Sequence, residues 1–481
     1  MTLRIGCILA LFLSLSLRGS EVLDWNDLML AAIRIDNTGP TLSTRNLAIL
    51  HLAIYDAVNS VNPTHQPFRG SLDPGGEASP EAAVCAAGHE VMLALYPPLK
   101  ARTQSLYEEE VAGFPQTAAT TNGLALGAEV ARQMLESRDG DGSSTLVTYI
   151  PNSEPGQWRR TPPFYRPPLD PHWRYVTLFA LPDKEAFVPP PPPPLTSQEY
   201  ADAFNEVKAI GRSDSTLRTP EQSQIAVFWS DFSYTAMPPG HWHEIAATIV
   251  RNANIPLPDT ARLFALLSLA QADAAIVCWE AKYRHNTWRP VTAIQRADED
   301  GNPATEADPT WSHYLNSPPF PEYTSGHSTF SKASAQVLTH FLGTDAVEFS
   351  ATSDSLPGVF RHFTSLAACA DEVGMSRIYG GIHFQFANRA GKKCGQKIGD
   401  YVSANYLLAT QDLPFVRLES VGPDGAAVRV HGNLGRVCVV EGSPDLVHWS
   451  ALETNTGKAG GFLCVEKVPT DGTRFYRALE R

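Results

Sequence analysis

The 481-residue chain is short of the compact signatures that announce a function. It has no glycine-rich phosphate loop and no serine-centred hydrolase elbow, which removes the common nucleotide-binding and esterase motifs. Its seven cysteines are scattered, with no closely spaced pair, so no thiolate metal cluster is written into it. The stretch His241-Trp242-His243-Glu244 carries no zinc signature. Residues two apart on a helix do not share a face, and the pattern of two histidines four apart is missing. Positive charge is scarce as well: 38 Lys and Arg stand against 51 Asp and Glu, a formal net charge of −13. That argues against nonspecific nucleic-acid binding through bulk charge. Any anion site must therefore gather its cations locally, against the sign of the whole chain.

Long apolar runs are also wanting. Ile5 to Leu17, behind Arg4, is too short to cross a bilayer comfortably and reads as a secretory leader over residues 1–20, with cleavage near Gly19 to Glu21. No later stretch reads as a membrane span, so the expectation is a soluble, exported protein, periplasmic or extracellular. Six cysteines remain beyond the leader, an even number that permits disulfides. Cys438 and Cys464 are the simplest pair to suppose.

What is present reads as helix for most of the length. Residues 36 to 140 are mostly helical, with clear segments at Thr44–Val58 and Pro80–Leu95. Pro151 to Pro194 is proline- and aromatic-rich and ends in six consecutive prolines, as expected of an extended spacer or surface loop. Helices resume near Thr196 and Thr219, and again at Pro258 to about Trp288, Ser331–Leu342, Phe360 to about Tyr379, and Phe384–Leu408. Past Pro414 the pattern turns strand-like, at Val428, Val437, Phe462 and the Arg474-Phe-Tyr-Arg tail. The expected fold class is mainly α: a helical-bundle domain over 21–411, then a small all-β module over 412–481.

Three stretches carry chemistry. In Lys282-Tyr-Arg-His-Asn-Thr-Trp-Arg289-Pro290 the two cations lie nearly two helical turns apart, roughly 10 Å along the axis, and leave one face. Pro290 ends the helix or forces an extended residue before it, which frees Arg289 to lean inward. In Phe320-Pro-Glu-Tyr-Thr-Ser325-Gly326-His327 a helix start offers a capping serine, an unobstructed glycine N–H and a histidine. In Ser376-Arg377-Ile-Tyr-Gly380-Gly381-Ile-His383 paired glycines break one helix, so that Arg377 and His383 can share a space. Singly, each stretch is also an ordinary basic face, cap or turn. Together they assemble three cations, a helix-end donor nest and two histidines, with Glu322 as the only acid. That set suits a tetrahedral oxyanion and repels divalent metals.

These residues resemble the shared signature of the vanadium-dependent haloperoxidases and the type 2 phosphatidic-acid-type acid phosphatases. That signature is Lys, six residues, Arg-Pro; Pro-Ser-Gly-His; and Ser-Arg, five residues, His. Thr324 stands where the usual proline would be. The resemblance is firmest over residues 270–405 and closest to the bacterial haloperoxidase-like branch. It implies a vanadate cofactor bound through Lys282, Arg289, Ser325, Gly326, Arg377 and His383, with His383 as the metal ligand. It makes His327, His383 and Lys282 catalytic and places Trp279 and Phe320 at the halide. Hydrogen peroxide and halide would be the substrates, hypohalous acid the product, and an organic molecule a further acceptor. The other branch implies phosphate-ester hydrolysis through a phosphohistidine at His383, and a catalytically inactive surface protein is the non-enzymatic alternative. The tail is similar to small β modules that end many exported bacterial proteins, a folding or surface-association appendage.

Overall fold

The computed structural model describes residues 20–410 continuously and, beyond them, 415–422, 425–431, 436–444, 448–456, 462–466 and 475–480. The expected leader lies outside the described residues up to Ser20. Among the described residues thirteen α-helices form the body. The first five are α1 (Ser20–Asp36), α2 (Pro40–Val61), α3 (Pro80–Leu95), α4 (Lys100–Gly113) and α5 (Ala118–Ser137). After a long irregular stretch come α6 (Gln198–Ile210), α7 (Pro220–Phe228), α8 (Met237–Ala253), α9 (Leu257–His285) and α10 (Pro290–Gln295). The last are α11 (Gly326–Leu342), α12 (Leu366–Tyr379) and α13 (Gln385–Asn405).

Helix α9 is the axis of the body and packs on α2, α11 and α13. Length and composition alone would let it cross a membrane, contrary to the expectation that no later segment could, but 94% of its most apolar stretch is buried inside the fold. Its apolar residues fill the core on every side, as a central helix requires. It ends four residues before Pro290, because Asn286 adopts the left-handed conformation (φ 50°) and caps it. Helix α1 was not expected as a separate element. Val22, Trp25, Met29 and Ile33 bury its inner face, each such side chain contributing roughly 1.5–3 kcal/mol.

Helices α11 and α13 lie backbone to backbone. A Cβ at Gly395 would sit 2.2 Å from the Thr329 carbonyl oxygen, so only glycine allows this approach. Gly391 faces Ser325 and Thr329, Gly395 faces Thr329 and Ala333, and Gly399 faces Ala333 and Gln336. The contacts advance together along both helices, so the two run parallel and their N-termini emerge at the same end.

Two other expectations change. The helix expected from Phe360 begins at Leu366. Arg361–Phe363 is a strand (β2), antiparallel to Phe349–Ala351 (β1). Ser365 caps α12 by accepting from Ala368 N (3.0 Å), and a strong N-cap outweighs three indifferent helix formers before it. The proline-rich stretch is irregular, with short 3-10 turns at Trp173–Tyr175 and Lys184–Ala186, and is no free spacer. The buried Asp273 carboxylate on α9 accepts N–H groups from Phe179, Ala180 and Leu181 at 2.7–2.8 Å and so ties it down. The Tyr323 hydroxyl donates to Pro190 O (2.7 Å).

The tail forms two three-stranded antiparallel sheets around one core. The strands are β3 (Phe415–Gly422), β4 (Gly425–His431), β5 (Val437–Ser443), β6 (Ser450–Thr456), β7 (Phe462–Glu466) and β8 (Phe475–Glu480), ordered β3-β4-β7 and β6-β5-β8. Cys438 and Cys464 lie in that core with Val428, Val430 and Val440, on different sheets. Cys85, Cys278, Cys369 and Cys394 are free buried thiols.

Candidate oxyanion site

A cavity of about 480 Å³ opens at the end of the bundle where α11 and α13 begin. Of the residues expected from sequence, Trp279, Phe320, Gly326, His327 and His383 line it. Lys282, Arg289, Ser325 and Arg377 lie behind that lining, each fully buried.

The cations reach this place by different routes. Lys282 leaves the last turn of α9, and its ammonium donates to three carbonyls of the loop before α11: Pro321 (3.1 Å), Glu322 (3.2 Å) and Thr324. Thr324, the departure from the family signature, thus serves through its carbonyl oxygen. Arg289 is the extended residue before Pro290 (φ −80°, ψ 155°), the second of the two outcomes foreseen for that proline. Its Nε donates to Phe320 O (2.9 Å), and its Nη1 donates to Ile382 O (2.8 Å) and faces His383 Nε2 (3.1 Å). Arg377, at the end of α12, donates from Nη1 to Trp229 O (2.8 Å). The Phe320 ring covers both neighbours: Lys282 Nζ and Arg289 Cζ each lie 4.9 Å from its centre.

This leaves donors over. Arg289 Nη2 and Arg377 Nε and Nη2 are buried and make no hydrogen bond. Burial pushes the Lys282 ammonium down to about 8, Arg289 to about 10 and Arg377 to about 9. A buried cation without a counter-ion costs several kcal/mol, so three cations together, two of them with spare N–H groups, describe a site built for an anion. Gly326 adds to it. A Cβ there would meet nothing closer than 3.6 Å, so the first turn of α11 has open space over it. The parallel α11 and α13 both direct positive helix ends this way. Ser325 caps α11, accepting Ser328 N at 3.4 Å. The residues fit a tetrahedral oxyanion such as vanadate or phosphate.

His383 stands just before α13, behind Gly381 in the left-handed region (φ 73°). Its Nδ1 lies 2.9 Å from Glu322 Oε1, which also accepts Phe384 N (2.8 Å). Carboxylate at Nδ1 and guanidinium at Nε2 define one tautomer: Nδ1 carries the hydrogen and Nε2 presents its lone pair. Burial, then the fields of Arg289, Lys282 and Arg377, hold the imidazole neutral, far below its usual range. The distant segments therefore do meet. Burial lifts the Glu322 carboxyl to about 7, against the pull of Phe384 N, Arg289 and Lys282.

His327, 13% exposed, has its Nε2 3.9 Å from Asp231 Oδ2, too far for a hydrogen bond. Burial and the Arg377 charge keep it neutral. Asp231 in turn takes His241 Nδ1 at 3.1 Å. His243, two residues on, turns to Asn26 and Gln271 (3.0 and 3.1 Å), and Glu244 turns to Arg34. The His-rich stretch thus disperses to separate partners.

Sequence reasoning missed Glu322 as a partner of His383 and missed Asp231 altogether. Glu322 lay in view as the lone acid of its stretch. Asp231 had no local signal, since its role appears only when α8 brings His241 beside it.

Residues 262–410 match the family model described as the VCPO second helical-bundle domain. The vanadium chloroperoxidase of Curvularia inaequalis is 24% identical, across 76% of this chain and 78% of that protein. The first bacterial vanadium-dependent iodoperoxidase to be solved aligns with a TM-score of 0.73 at 29% identity, covering 82% of this chain and 99% of that one. A holo-type bacterial vanadium-dependent chloroperoxidase aligns with a TM-score of 0.61 at 17% identity, covering 76% and 92%, a likeness of fold alone.

Proposed function

From its relationship to the vanadium haloperoxidases, carried by the second helical bundle and the shared fold, we propose that the protein oxidises halide with hydrogen peroxide, using vanadate as cofactor. The observation that carries this reading is the set of buried, unpartnered guanidinium N–H groups of Arg289 and Arg377 beside the His383 imidazole.

Lys282, Arg289 and Arg377 would hold the oxyanion's oxygens, with Ser325 and the Gly326 N–H as further donors. His383 Nε2 would be the ligand atom, and Glu322, by holding the hydrogen on Nδ1, leaves the lone pair on Nε2. Bound vanadate supplies a Lewis acid that activates peroxide towards a halide. His327 is neutral at rest and reaches the cavity, so its imidazole can take a proton from peroxide and return one to the departing oxygen. Trp279 and Phe320, with ring centres 5.1 Å apart, shield the cations from water and form the wall against which a halide would sit. Halide, peroxide and one proton give hypohalous acid and water.

Vanadate-loaded protein given peroxide with iodide, bromide or chloride tests the proposal. Halide oxidation that depends on added vanadate is expected. Cleavage of phosphate esters by vanadate-free protein, with no halide oxidised after loading, would overturn it in favour of a phosphohistidine at His383.

A further inference from the structure

The cavity is larger than the proposed reaction needs. A halide and a peroxide molecule need about as much room as three waters, roughly 45 Å³ of space open to water-sized spheres, against about 480 Å³ here. Volumes of this order take organic molecules. Away from the histidine floor the lining is mostly apolar, with Phe164, Leu169, Phe232, Met237, Pro318 and Pro319 beside Asn37, Ser233 and Asn316. The rim carries one permanent cation, Arg166. The other permanent charge in the lining, Asp231, is engaged by His241 at 3.1 Å. Arg166 makes no ion pair with a described residue, and its guanidinium lies 6.0 Å from the Phe164 ring centre.

The rim is anchored. Leu169, three residues beyond Arg166, donates its N–H to Pro319 O (2.8 Å). Its carbonyl accepts from the Tyr283 hydroxyl (2.6 Å) and the Trp279 indole N–H (3.3 Å). The segment that carries Phe164 and Arg166 is therefore tied to the same α9 turns that hold Trp279 and Lys282, so the cavity is formed before anything enters it.

We propose that this cavity binds an electron-rich aromatic carboxylate as the organic acceptor, its carboxylate on Arg166, its ring between the phenylalanine and proline walls and its reactive edge towards His327. An apolar ring matches the lining, and an anionic group answers the rim cation left without a partner. Neutral phenols lack the second contact, and cationic amines are repelled by it. The identity of the acceptor rests on the haloperoxidase reading; the binding does not. The transfer is balanced: hypohalous acid and the ring C–H give the ring C–halogen bond and water, with the ring proton leaving on the hydroxyl.

Binding of 4-hydroxybenzoate, phenol and tyramine to the full-length, vanadate-free protein tests this, by calorimetry or by tryptophan fluorescence. Saturable binding of 4-hydroxybenzoate is expected, with phenol weaker and tyramine weakest. Arg166→Ala should weaken 4-hydroxybenzoate at least about fivefold and leave phenol unchanged, and Arg166→Lys should recover part of the loss. Arg166 is exposed and unpaired, so an unaltered melting temperature of each variant is expected and establishes that it is folded. No saturable binding, or equal binding to wild type and Arg166→Ala, would overturn the proposal. Protein that binds 4-hydroxybenzoate yet oxidises no halide would overturn the peroxidase reading alone, and active protein that fails to bind it would overturn this one alone.

Discussion

Two buried polar clusters sit in the same helical body and are finished differently. Between α1, α2, α8, α9 and α11, Asn26 Oδ1 meets both His51 (3.2 Å) and His243 (3.0 Å). His243 reaches Gln271 (3.1 Å), and Gln271 donates to Pro239 O (3.1 Å) and Ser334 Oγ (2.9 Å). One polar atom, His51 Nδ1, is left over. The cluster around His383 leaves three guanidinium nitrogens and Glu322 Oε2 without partners. A polar core that closes on itself specifies packing; one that leaves strong donors open is waiting for a guest. The comparison shows that burial alone does not mark a site. The incomplete account of hydrogen bonds does.

The comparison can be broken from the open side first. His383→Ala is expected to lower vanadate affinity and vanadate-dependent halide oxidation at least about a thousandfold, and to leave the vanadate-free melting temperature within a few degrees of wild type. Calorimetric vanadate titration and thermal melts check both halves. Retained affinity would remove His383 from the site. From the closed side, His243→Ala strands Asn26 and Gln271 and should cost about 3 kcal/mol of unfolding free energy in urea, with vanadate affinity unchanged. A loss of affinity there would mean that the two clusters act as one.

The smallest effect sharpens the contrast through pH. Burial holds His243 neutral, down to about 3, below its value in the unfolded chain. The unfolded state therefore takes up the proton first, and stability is lost as pH falls below about 6.5, by up to about 1.4 kcal/mol per unit. Glu110 and Asp273, lifted by burial to about 7 and about 6, work in the opposite direction but do so equally in wild type and variant. Between pH 7 and pH 5 the advantage of wild type over His243→Ala should thus shrink by about 2 kcal/mol, measured by urea unfolding at both values. A constant difference would mean that His243 titrates in the fold as it does in the unfolded chain, and a growing one that it is already charged there.

Much of this was legible in the chain because the cage is written in three short pieces. Lys282 and Arg289, Ser325 to His327, and Arg377 and His383 each keep their spacing within one turn or loop, so local geometry constrains them. The carboxylates were harder. Glu322 acts on a histidine in another piece, and Asp231 depends on a helix that begins six residues later. The proline-rich stretch read as a spacer because nothing in its composition shows that Asp273, 92 to 94 positions away on α9, will pin its backbone. The strand at Arg361–Phe363 was hidden by helix-compatible neighbours and settled by Ser365.

The glycine seam between α11 and α13 has a mechanical consequence. His327 rides at the head of one helix and His383 just ahead of the other, so the two imidazoles are tips of a pair of tongs whose rivet is Gly395 against the Thr329 carbonyl. A single methyl group at that rivet, in the first turn of α11 but well down the shaft of α13, would splay the tips without being part of either one.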